Sequence, residues 1–270
     1  MKIKSLRTAL AAVSIAAASC FATAAYAEMI WVGDFETGNL SQYKTKQLRN
    51  GKVVSSPVRD GKKALTITLR RGQSARNNSE VMPQAWKKYP KYKPNFAFGQ
   101  EYWYSVSVHV PKDYVIDEGE TVFQFHASPD TDKGDEHVNP PLALGIENGK
   151  WYLRARADGR ARQTKGMKYQ FKQVWSLGKV KRGGWTDWVF RIKWSYKSDG
   201  LTQVWRDGQL VVNRKGMNTY NDSRGPYLKL GIYKNVWIRK ATAAKSRTLS
   251  FDAVKIYKGS TTVQAMRPKK

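Results

Sequence analysis

The chain has 270 residues, with 48 Lys and Arg against 21 Asp and Glu, for a formal net charge of +27. So large a positive excess points to a polyanionic partner whose binding weakens with salt, and says nothing of the fold. The one cysteine, Cys20, excludes an internal disulfide framework, and no later run reaches the roughly 20 apolar residues of a membrane span.

The first residues predict a secretory leader. Lys2, Lys4 and Arg7 precede an apolar run from Ala9 to Ala18, and Ala25-Tyr26-Ala27 is a small-x-small cleavage site. Cleavage near Ala27 removes three cations and no anion, so the mature chain stays strongly basic. Lipidation at Cys20 competes with this reading, but the apolar residues after it and the missing Leu before it disfavour it. A secreted or periplasmic location is expected, with residues 28–270 as one domain, since sandwiches of roughly 200–250 residues are common as single domains. Export argues against nucleic acid, and no nucleic-acid motif accompanies the charge. The 10 Trp, 14 Tyr and 9 Phe suit a carbohydrate-facing sheet. A monomer that binds an acidic polysaccharide is the simplest expectation.

Strand patterns recur along the chain, and no long, well-capped amphipathic helix does. Ile30 to Phe35 opens, before the turn Glu36-Thr37-Gly38-Asn39. Ala64 to Arg70 alternates Leu65, Ile67 and Leu69 with Thr66, Thr68 and Arg70. Trp86 to Asn95 (WKKYPKYKPN) mixes Lys, aromatics and Pro, and reads as an exposed loop at a groove edge. Tyr102 to Val110 and Thr121 to Ala127 follow as strands, with an acidic loop from Ser128 to Pro141. Leu142 to Glu147 and Trp151 to Ala157 flank Asn148-Gly149, a strong hairpin turn. Gly159 to Gly184 is a long basic segment, a candidate lid or groove wall. Trp188 to Tyr196 is another strand, and Leu201 to Trp205 and Gln209 to Asn213 form a hairpin about Asp207-Gly208. Tyr227 to Tyr233 and Leu249 to Tyr257 close the domain. The pattern predicts an all-β, two-sheet antiparallel β-sandwich of the jelly-roll, concanavalin A-like kind, with a basic groove.

Three segments carry chemistry. In Tyr227-Leu-Lys-Leu-Gly-Ile-Tyr233, Leu228, Leu230 and Ile232 point to the core, while Tyr227, Lys229 and Tyr233 face the other way. Gly231 leaves room for something to approach the backbone. In Val122 to His126, Phe123 and Phe125 share one face and Gln124 and His126 the other, an amide beside an imidazole. At strand spacing Arg76, Asn78 and Glu80 project together, with Glu80 suited to orienting Arg76 or another cation of the face; a turn with a solvated ion pair is equally compatible. Arg154 and Arg156 share a strand face with Tyr152, and Arg191 and Lys193 share another; each is a candidate anion grip or a plain charged surface. His109 is a candidate for the site or for the sheet edge, and His137, in a polar loop, receives no role.

The Gln124-x-His126 strand together with the Tyr227-x-Lys229-x-Gly231-x-Tyr233 strand resembles the β-jelly-roll polysaccharide lyases, the heparin lyase I-like, glucuronan lyase and alginate lyase group. The Arg76-x-x-x-Glu80 segment is similar to the arginine-bearing strand of the alginate lyases, although Asn77-Asn78-Ser79 departs from their usual spacing. The opening Asp34 to Ser41 resembles the first strand of the heparin and glucuronan lyase-like proteins. The resemblance implies β-elimination on a uronate. Gln124, with Arg76 or Asn78, would hold the substrate carboxylate and stabilise the carbanion-like intermediate. Tyr233 or His126 would remove the C5 proton, and Tyr233 would protonate the departing O4. Lys229 and the basic field are expected to lower the Tyr233 pKa, and Tyr227, Arg154 and Arg156 to add substrate contacts. No His or Cys cluster has metal-ligand spacing. Asp130, Asp132, Asp135 and Glu136 form an oxygen-rich loop of the kind that holds calcium, and heparin lyase-like relatives use calcium, but their ligands do not match here, so no cofactor is expected. A lectin-like sandwich that binds acidic glycans without cleaving them is the alternative. A glycoside hydrolase needs two facing carboxylates, and no strand offers them.

Overall fold

The computed structural model describes residues 27–269; the expected leader, with Cys20, lies outside the described residues. Fifteen strands run in chain order as β1 (Glu28–Gly33), β2 (Tyr43–Lys44), β3 (Gly51–Val54), β4 (Ala64–Arg70), β5 (Asn78–Pro83), β6 (Glu101–Val110), β7 (Glu120–His126), β8 (Leu142–Glu147), β9 (Lys150–Ala157), β10 (Phe171–Lys179), β11 (Gly184–Lys193), β12 (Leu201–Arg206), β13 (Gln209–Lys215), β14 (Tyr227–Tyr233) and β15 (Ser246–Lys258). They form two antiparallel sheets. One has the order β13-β12-β11-β6-β15-β4-β3, with β1 beside β15; the other has the order β10-β9-β8-β7-β14-β5-β2. The chain is a jelly-roll β-sandwich. Among the described residues, no helix is long and apolar enough to cross a membrane.

The alternation read from the sequence places the core. Leu228, Leu230 and Ile232 of β14 and Phe123 and Phe125 of β7 are buried against Tyr104, Phe190 and Trp194 of the other sheet. The Phe123 and Phe190 rings stack at 5.2 Å, and Phe125 meets Trp194 edge-on at 4.9 Å. Each such ring contributes roughly 1.5–3 kcal/mol by leaving water, which holds the outer faces of β7 and β14 in register. The Asn148-Gly149 and Asp207-Gly208 hairpins both form, with positive φ at all four residues as their turn chemistry requires. β10 departs from expectation. It lies within the segment read as a lid or groove wall, and six of its nine residues are exposed, so its position at a sheet edge left its apolar alternation weak.

A buried ionic network ties the sheets together at one end of β14. Lys234, fully buried, lies 3.1 Å from Glu120 of β7 and 3.4 Å from Asp117. Arg247 of β15 reaches the same two acids, at 3.0 Å and 3.4 Å, and the Tyr114 hydroxyl donates to Glu120. Burial alone would raise Asp117, but hydrogen bonds from Thr242 and the backbone and the Lys234 charge outweigh it and hold it at about 2. Two buried cations thus share two buried carboxylates, and removing one partner strands the rest. Glu120→Ala is expected to lower stability by about 3–5 kcal/mol, read as a shift in the urea unfolding midpoint; an unchanged midpoint would show that the network does not brace the sandwich.

Candidate active site

The outer face of β5, β14 and β7 forms the floor of a cleft. The register places Tyr227 opposite His126, and Lys229 opposite Gln124. On the other side, Gly231 lies opposite Glu80 and Tyr233 opposite Asn78. Directly opposed residues present their side chains to the same face, so three separate parts of the sequence meet here. Arg76, Asn78, Glu80, Gln124, His126, Lys229 and Tyr233 all line the cleft.

Gly231 allows this convergence. A Cβ there would come within 2.2 Å of the Ser79 carbonyl oxygen and 2.7 Å of the Glu80 Cα, and its φ is +143°. What approaches the glycine is therefore β5 itself, and the approach brings Glu80 under Lys229. Glu80 is 4% exposed. Its Oε2 accepts from Lys229 Nζ at 2.7 Å and from Asn78 Nδ2 at 2.9 Å, while its Oε1 accepts from Gln124 Nε2 at 2.5 Å. One carboxylate holds three of the site's polar side chains. Asn78 also donates to Gln47 at 3.5 Å, which engages its amide within the protein. Arg76 is exposed and forms no hydrogen bond or ion pair among the described residues, so its guanidinium stands open to the cleft.

His126 and Tyr233 differ in electrostatic state. Burial pushes the His126 imidazole below its ordinary value, and Lys229 adds to that effect. Its Nδ1 lies 2.9 Å from the Ala127 carbonyl oxygen; the acceptor fixes the proton on Nδ1 and leaves the Nε2 lone pair free. The ring stacks on Tyr227 at 5.2 Å. Tyr233 contradicts the expected direction. Burial, and then the Glu80 carboxylate, raise its phenol above the ordinary value, with Arg76 and Arg239 opposing them in part. Lys229, paired with Glu80, is not among the charges that act on it. The site therefore holds a neutral imidazole and a protonated phenol.

The remaining candidates separate. Arg154 shares a cross-strand row with Ala143 and Gln124, but it pairs with Glu147 at 3.0 Å and stacks on Tyr152, outside the cleft lining. Arg156 donates to the Pro140 carbonyl at 3.3 Å and also lies outside it. His109, Arg191 and Lys193 belong to the opposite sheet, where His109 packs on Trp185 and the two cations pair with Glu101 and Asp199. Sequence reasoning missed His137, Asn139, Lys165 and Tyr169, which line the cleft from two loops. The acidic loop holds the basic one in place: Asp135 accepts from the Gln163 N–H at 2.8 Å and Glu136 from the Lys165 N–H at 2.6 Å. Asp130 accepts from Ser223 and Lys133. No group of three His, Cys, Asp or Glu among the described residues is arranged to hold a metal ion.

Comparisons with known proteins bear on the family and the fold. A family profile described as polysaccharide lyase matches residues 35–255. The fold is similar to that of an endo-β-1,4-glucuronan lyase from the fungus Trichoderma reesei, at TM-score 0.66 and 22% identity over 88% of this chain and 96% of that one. It is also similar to alginate lyase AlyC3 in complex with dimannuronate, at TM-score 0.50 and 13% identity over 74% and 76%. A GH131 β-glucanase catalytic domain from Podospora anserina shares the fold at TM-score 0.53 and 12% identity over 87% and 98%. No curated protein sequence matched.

The electrostatics of the site predict a titration. His126 is expected to titrate below 6.5 by NMR, and Lys229→Met to move it upward, since loss of a nearby cation favours imidazolium. A His126 midpoint above 6.5, or a downward shift in the variant, would contradict the assignment. With a polysaccharide lyase profile spanning most of its length and a cleft built from the three motif strands, the chain belongs to the polysaccharide lyase family and is a polysaccharide lyase.

Proposed function

We propose that the enzyme is exported and cleaves a uronate-containing polysaccharide by β-elimination. The observation that carries this reading is the cleft's division of labour: an open guanidinium, an amide, a neutral imidazole and a protonated phenol surround one space. The only acid lining it among the described residues, Glu80, is tied to three donors. A double-carboxylate hydrolase mechanism has no second acid to use, although the GH131 β-glucanase shares the fold.

Arg76 and the amide hydrogen of Gln124 not given to Glu80 take the substrate carboxylate, which stabilises negative charge developing at C5. The free Nε2 of His126 removes the C5 proton and becomes imidazolium. The C4–C5 double bond forms as the C4–O4 bond breaks, and Tyr233 delivers its proton to O4. A phenol held above its ordinary pKa suits the acid role, and an imidazole held below its own suits the base. Lys229 and Asn78 act through Glu80, which fixes the direction of the Gln124 amide. Tyr227 backs the His126 ring. Arg154 and Arg156 lie on the same face beyond the cleft, where further sugars of a polymer would pass.

The similarity of fold to a glucuronan lyase makes polyglucuronate the first polymer to test, with alginate and heparin beside it. Unsaturated uronate products, followed by ultraviolet absorbance, are expected from at least one. Tyr233→Phe is expected to reduce that rate about 10²–10⁴-fold, the range for loss of a general acid, while polymer binding persists. Wild-type turnover in the Phe variant would remove Tyr233 from the mechanism. Binding of every polymer with no product from the wild type would leave only a glycan-binding role.

A further inference from the structure

The WKKYPKYKPN loop, expected at the edge of the groove, contributes no residue to the cleft lining and builds a hollow of its own. Tyr89, Tyr92, Lys88, Lys91 and Lys93 line it, together with Lys258 at the end of β15. All four lysines are exposed. Among the described residues, the lysine ion pairs are those of Lys133, Lys193, Lys229, Lys234, Lys240 and Lys255, and none of the four belongs to them. Among the described residues, the only acid lining the hollow is Glu28. Tyr92 is the buried member of this group. It is only 8% exposed, yet its hydroxyl lacks any hydrogen-bond partner. A buried hydroxyl left unpaired is costly and uncommon, and this one belongs to a residue that lines the hollow. Lys88 lies 5.7 Å from the Tyr89 ring centroid, so flat aromatic surface and positive charge occur side by side.

The hollow is connected to the active cleft. An intermediate depression shares His126 and His137 with the cleft and Asn95 with the hollow, and Lys44, Arg224 and Tyr227 line its course. We propose that the Lys88–Lys93 loop is a second binding site for the anionic polysaccharide, which grips the chain at a distance from the bond being cleaved. The lysines meet its carboxylates, and the half-buried Tyr89 presents ring surface to the sugars. This rests on the uronate-polymer reading above. A remote grip of this kind adds affinity only for chains long enough to reach both sites.

The test is a Lys88→Gln, Lys91→Gln, Lys93→Gln triple variant beside a control of equal charge, Lys52→Gln, Lys181→Gln, Lys215→Gln, none of which lines the hollow, the depression or the cleft. Migration through native gels containing polyglucuronate, alginate or DNA reads binding without catalysis. The loop variant is expected to lose most of the polysaccharide retardation that the control keeps. Its KM for long polyglucuronate should rise fivefold or more, with turnover of a tetrasaccharide unchanged within twofold. Equal losses in both triple variants, equal effects on long and short substrates, or lost retardation in DNA gels alone would overturn the site. If no polymer is cleaved but the loop variant alone loses polysaccharide retardation, the uronate-cleavage reading fails and the binding site stands.

Discussion

The site depends on one buried carboxylate. Glu80 lies beneath a surface that attracts anions, where an acid would be expected to repel the ligand. Its three hydrogen bonds resolve the conflict: it is compensated by Lys229 and directs Asn78 and Gln124. A buried ion pair is a weak source of net stability, because desolvating both partners offsets their attraction. Its value here is positional. Glu80 on β5 holds a residue of β14 and a residue of β7 in one plane, and the amide that faces the cleft cannot rotate without breaking a charged hydrogen bond. The same charge raises Tyr233 and thereby keeps it protonated.

The scaffold delivers Glu80 to that position by backbone means. Gly231 lets β5 approach β14 closely enough for Glu80 to pass under Lys229. Directly after Tyr233 the chain turns inward, so that Lys234 enters the ionic network with Glu120, Asp117 and Arg247. Tyr233 thus stands between a core residue, Ile232, and a fully buried lysine. A side chain held between two such anchors has little freedom, which the proton-donor role proposed for it requires.

Much of this was legible in the sequence, and the limits have physical reasons. β7 and β14 showed themselves because one face of each is apolar without exception, and Gln124, His126, Lys229 and Tyr233 then had to share the other. The direction of the Tyr233 shift was not legible, since it depends on Glu80 reaching across from a strand about 150 residues away. Asn77 adopts a positive φ just before β5, which breaks the strand spacing between Arg76 and Asn78 and separates an open guanidinium from a buried amide. His137, Lys165 and Tyr169 come from loops whose course is fixed by Asp135 and Glu136 rather than by periodicity. Asp135 and Glu136 of the oxygen-rich loop pin that wall. Arg154 and Arg156 were placed on the right face, but nothing local reveals that Glu147 and Pro140 already engage them.

The most direct measurement is kcat/KM of a Glu80→Gln variant on the preferred polymer, with its unfolding midpoint recorded in parallel. The substitution preserves shape and removes the charge that orients Gln124 and compensates Lys229. A folded variant whose kcat/KM falls at least a hundredfold, with most of the loss in kcat, is the predicted result. A folded variant within a few fold of wild type would contradict the claim that this carboxylate organises the site.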